Sequence, residues 1–169
     1  MKILIDVPRQ ELVLSNGKRY AVSTAKNGLG EKHGSFCTPR GRHIVRARIG
    51  AGQPLGAVFV RRRPTGELWT PELHAKYPGR DWMLTRILWL SGCERGRNRL
   101  GDVDTMRRMI YIHGAPDSAE MGNPARTAAC ACATGTWPSC SSCCRPTRRS
   151  RSGAEAARGW EPAPRPSRR

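Results

Sequence analysis

At 169 residues the chain has room for one domain and enough length to bury a core. It carries a formal charge of +17, almost all of it arginine: only Lys2, Lys18, Lys26, Lys32 and Lys76 are lysines. No apolar run approaches a membrane span, and only Ile3-Leu4-Ile5 lies between Met1-Lys2 and Asp6, so no secretory leader is expected. The odd count of 7 cysteines gives no clean disulfide framework. An arginine excess fits binding to nucleic acid or another polyanion. It also fits a GC-rich coding sequence.

Taken in chain order, the first 120 or so residues read as strands. KILIDV and ELVLSNGKRYAVS predict two or three of them, with Asn16-Gly17 as a primed hairpin turn. Residues 34–41, Gly-Ser-Phe-Cys-Thr-Pro-Arg-Gly, form a predicted loop, and HIVRARI alternates as a strand should. AVFVRRR follows, then WMLTRILWLSG, then MIYIHG with a strand ending at His113. Helical periods are few, so the fold class is mainly β. Arg61-Arg62-Arg63 is expected to be a solvated strand edge. His33, His43 and His74 are expected at the surface. Cys37 and Cys93 are expected to be buried or half-buried thiols.

The remainder has another character. From residue 121 onward there is no Val, Ile, Leu, Phe or Tyr, and Met121, Trp137 and Trp160 are the only large apolar side chains. Such a segment cannot bury enough apolar surface to offset the entropy of ordering it. The expectation is an incomplete domain over residues 1–125 and a disordered Arg/Cys/Pro-rich tail over residues 126–169.

The front part resembles the L,D-transpeptidase catalytic domain (YkuD-like family). Ser35-Phe36-Cys37-Thr38-Pro39-Arg40-Gly41 is similar to that family's Thr-Pro-x-Gly loop. The segments 87–92 and Asn98-Arg99-Leu100-Gly101 match the strand and Gly-rich loop before the site. Ile110-Tyr111-Ile112-His113-Gly114 is similar to the first half of the signature, in which HG(T/A) is followed about sixteen residues later by SHGC and an Arg. The resemblance implies a β-sandwich or barrel with short helices, acting on peptidoglycan stem peptides in the periplasm or cell envelope. A cysteine thiolate would attack the stem-peptide carbonyl, D-alanine would leave, and an amine would take the acyl group from the thioester. It implies His113 as general base, Gly114 as a substrate-binding residue, no cofactor and no metal.

At the nucleophile's spacing, however, stands Ala129, within Arg126-Thr127-Ala128-Ala129. The genetic code offers an account. If the tail is read one base out of register, most of each shifted codon is fixed by the protein: Trp137-Pro138 gives only alanine, and Cys140-Ser141 only Leu or Phe. Residues 126–152 then permit HGCVRMRNRDVAELFELLPPYTPVEV. Loss of one T from a serine codon TCG before CAC turns Ser-His into Arg-Thr, so the restored stretch reads MGNPASHGCVRM. This contains the missing signature, followed by a run with leucines at helical spacing behind an Asp cap.

As written, the chain is therefore expected to be an inactive transpeptidase. A restored frame would be open to acylation by carbapenem-type inhibitors. Two rival readings remain. Cys130-x-Cys132 and Cys140-x-x-Cys143 could hold zinc, but no strands or turns are expected to frame the pairs, Cys144 is left over, and the frame shift accounts for every cysteine, so no metal site is expected. Alternatively, a non-catalytic basic protein would bind nucleic acid or anionic polymer through its Arg-rich tail, without sequence specificity and with strong salt dependence.

Overall fold

The structure is a computed structural model that describes residues 2–125 and 130–134. The chain is mainly β. Nine strands form one mixed sheet among the described residues: β1 Ile3–Asp6, β2 Glu11–Leu14, β3 Arg19–Ser23, β4 His43–Ile49, β5 Ala57–Val60, β6 Arg63–Leu68, β7 Met83–Gly92, β8 Tyr111–Ala115 and β9 Cys130–Ala133. Their order is β1-β2-β3-β9-β8-β7-β5-β6, with β4 on β7. One short helix, α1 Pro71–Lys76, and a 3-10 turn at Gly101–Val103 complete it.

Alternation explains the two faces. On one, Leu12, Leu14, Val22, Leu88, Ile112, Cys130 and Cys132 are buried together, with Ile3, Ile5, Val45 and Leu90 packed against them. On the other, Ala57, Phe59, Ile87 and Tyr111 form a second cluster. β8 is buried at every position, as a strand covered on both faces must be. A bulge interrupts β7 against β8 between Leu84 and Ile87. Inside it, Thr85 is fully buried at φ 68, a conformation β-branched residues rarely adopt. Its hydroxyl accepts the Gly56 N–H at 3.0 Å, which holds it there.

Several expectations are corrected. The β2–β3 turn is not primed: Gly17 has φ 83, but Asn16 does not take positive φ. Gly17 N–H donates to Leu14 O and Leu14 N–H to Lys18 O, a three-residue loop with glycine in the left-handed position. Arg61 and Arg62 form a hairpin turn rather than a strand edge, with φ 47 and 69, whereas Arg63 is an exposed residue opening the edge strand β6 as expected. Arg62 folds back, its guanidinium 4.7 Å from the Trp89 ring centre and donating to Tyr111 OH.

Helix α1 escapes the strand pattern, although its sequence announces it: Thr70 caps Leu73 N–H, and Pro71 opens the first turn. His74 is half-buried between Trp69 and Trp82. His43 is also half-buried, whereas His33 is exposed. Cys37 is half-buried, and Cys93, expected to be shielded, is exposed.

The largest correction concerns the tail. Cys130–Ala133 forms β9, paired antiparallel to β3 and parallel to β8, in the middle of the sheet. Order was not expected beyond residue 125, because the stretch holds no large aliphatic residue. Small apolar side chains fill the slot: Cys130, Ala131 and Cys132 are at most 4 % exposed. Residues 126–129, including Ala129, and everything beyond Thr134 lie outside the described residues, as do Cys140, Cys143 and Cys144.

Candidate functional site

His113 sits in the interior of β8, which runs two residues beyond it to Ala115. It is 1 % exposed. Its register partners are Ile87 on β7 and Ala131 on β9, so these three side chains share a face. Nδ1 lies 2.9 Å from Gly114 O. A carbonyl only accepts, so the neutral ring carries its proton on Nδ1 and its lone pair on Nε2. That is the tautomer a general base acting through Nε2 requires.

Gly114 is dictated by packing. A Cβ there would stand 2.6 Å from Leu84 O and 3.3 Å from Thr85 Cβ, so the bulge that strains Thr85 presses directly on the residue after the histidine. The structure thus places Gly114 as a packing glycine in the site strand.

β9 brings the tail against this histidine. Position 131 lies opposite His113, while positions 130 and 132 face the core with Leu12, Val22 and Leu88. The two thiols touch each other: contact with Cys130, then burial, pushes the Cys132 thiol well above its ordinary range. A thiol held protonated is a poor nucleophile. The described residues contain no cluster of three or more His, Cys, Asp or Glu able to hold a metal ion.

A second feature borders β4 and β7. Asn98 is fully buried. Its amide donates to Arg40 O at 2.9 Å and Arg42 O at 3.3 Å, and its side-chain oxygen accepts Glu94 N–H at 2.9 Å. Thr105 Oγ1 donates to Asn98 O, and His43 Nε2 lies 3.0 Å from that hydroxyl. Gly92 is required here, since a Cβ would fall 2.0 Å from Asn98 O. The Asn98-to-Gly101 segment carries resemblance in the sequence, but nothing local to it announces that Asn98 would be buried.

The charges around this knot are shifted in keeping with their partners. The Arg40 guanidinium, bonded through two nitrogens, holds Glu31 below the usual carboxylate range. The Arg42 N–H does the same for Glu94. Burial pushes His43 down, and its bond to Gly41 O only partly opposes this. Burial would raise Asp104, but N–H groups of Arg107, Leu100 and Met106 outweigh it and hold the carboxyl low.

A family model described as the L,D-transpeptidase catalytic domain (YkuD) matches residues 1–134. The match includes His113, Gly114 and β9. No curated protein and no solved structure matches the chain.

Proposed function

The chain belongs to the L,D-transpeptidase catalytic-domain family, and from that premise we propose that it descends from a cysteine transpeptidase of peptidoglycan stem peptides and has lost its nucleophile as written. Residue His113 keeps the role of base. The observation that carries this reading is its bond to Gly114 O, which orients the ring, together with the passage of β9 beside it. In the complete reaction the thiol proton passes to Nε2, the thiolate attacks the stem-peptide carbonyl, and D-alanine leaves as the thioester forms. An incoming amine then takes the acyl group and releases the thiol. Ala129, at the signature's cysteine, has no atom that can make the first bond.

The register of β9 supports a one-base shift. In the restored frame, positions 130 to 133 carry valine, arginine, methionine and arginine. Valine and methionine then fall where Cys130 and Cys132 meet the core, and an arginine falls opposite His113. An alternation that suits both faces is expected of a strand encoded for this slot.

The test is turnover of a tetrapeptide donor with an amine acceptor, by both frames. The chain as written should be several orders of magnitude slower than the restored one, since a covalent route is gone. His113→Ala in the restored frame should abolish transfer. Equal turnover by the two frames contradicts the reading.

The alternative, a basic binder acting through its tail, rests on the net charge. It requires salt-sensitive binding that survives deletion of residues 1–120.

A further inference from the structure

Outside the histidine site, the surface feature with the most internal support is the knot around Asn98. Five arginines have their backbones in or beside it. Arg40 and Arg42 give Asn98 their carbonyls. Arg95, Arg97 and Arg99 flank it in sequence, and the backbones of Arg95 and Arg99 bridge. Cys93 N–H donates to Arg42 O at 3.0 Å, which ties the loop to the start of β4. All five side chains are exposed.

Only two acids answer them. Glu31 takes Arg40 and Glu94 takes Arg97, each at 2.8 Å. Arg42, Arg95 and Arg99 form no ion pair among the described residues. Clustered like charges oppose folding. Yet this loop is pinned by a fully bonded buried asparagine and by a glycine that tolerates no Cβ. A rigid loop presents its guanidiniums with little further ordering on binding. Guanidinium forks match carboxylates, often through two parallel bonds.

We propose that the knot formed by Arg40, Arg42 and residues 93–99 is a docking surface for peptidoglycan, with Arg42, Arg95 and Arg99 gripping carboxylates of its peptides away from the reacting centre. The occupant rests on the family reading above; the charge complementarity does not. The surface holds the polymer and takes no part in bond making.

The experiment is co-sedimentation of the full chain with purified peptidoglycan sacculi, native or with their carboxyls amidated. It is run in a background where the arginines beyond residue 140 are glutamine, so that the tail cannot mask the effect. The combination Arg42→Gln, Arg95→Gln and Arg99→Gln should weaken binding at least about tenfold, as three charge-assisted contacts are lost, with an unchanged urea midpoint. A control of equal charge, Arg46→Gln with Arg61→Gln and Arg63→Gln, should change it less than about threefold, as distant exposed charges are screened. Amidated sacculi should bind no better than the first variant.

Equal losses in the two variants would mean that net charge alone acts, and would overturn the docking surface. Full binding to amidated sacculi would overturn the carboxylate. Either failure, alongside transfer activity in the restored frame, removes this surface and leaves the family reading standing.

Discussion

Strands β8 and β9 lie side by side at the centre of the sheet, but they come from opposite kinds of sequence. β8 reads Tyr-Ile-His-Gly-Ala, with a chemical group, a packing glycine and two large apolar side chains. β9 reads Cys-Ala-Cys-Ala. Both are buried. The difference teaches that a central slot in a sheet asks only for extended backbone and small or apolar side chains on both faces. A catalytic slot asks for particular atoms. Under the proposed one-base shift the first demand is met by chance, since cysteine and alanine pack as small hydrophobes, and the second is not.

The comparison breaks most visibly if β9 is not part of the core. Cys132→Asp places a carboxylate at a position 1 % exposed among Leu12, Val22 and Leu88. It should cost about 4 kcal/mol or more in urea denaturation. A loss below about 0.5 kcal/mol, typical of a surface site, would show that β9 does not pack as described.

On β8 the equivalent stress is steric. Gly114→Ala pushes a Cβ to 2.6 Å from Leu84 O, so a loss of about 1–3 kcal/mol is expected, again read from the urea midpoint. An unaffected midpoint would mean that the bulge at Thr85 yields freely.

Thiol labelling sharpens the contrast within one molecule. Among the cysteines of the described residues, Cys93 should react first in native buffer and Cys37 more slowly, following their exposure. Cys130 and Cys132 should react only when the sheet opens, because they are buried and Cys132 is held protonated. Peptide mapping after a short pulse of alkylating reagent checks the order. Early modification of Cys132 would contradict it.

The smallest effect is a pH dependence. His43 is pushed below its ordinary 6.5 by burial. The unfolded chain therefore binds this proton more readily, and stability declines as pH falls below 6.5 toward the lower folded value. Glu31 is held below 4.5 by Arg40. Its contribution is present above 4.5 and is lost as pH falls through the folded value. Two acid steps should appear in the urea midpoint against pH, and His43→Gln should remove only the first. If the first step survives that change, His43 is not its source.

How far the sequence spoke varied with the physics. HIVRARI became β4 with its predicted limits, because strict alternation on a half-covered strand leaves a plain pattern. The strand that holds His113 was legible through its apolar run. The Asn98 knot was not, since its bonds join residues 40, 42, 94 and 105, and no local pattern encodes them. β9 was missed because a composition argument judges a segment alone, whereas β3 and β8 supply the apolar surface that the segment lacks.

The central proposal is that the chain carries a transpeptidase site without its nucleophile, and intact-mass spectrometry after incubation with a carbapenem tests it most directly. The restored frame should gain one inhibitor mass, mapping to its new cysteine and lost with His113→Ala, and the chain as written should gain none. An adduct on the chain as written that maps to Cys130 would contradict the account.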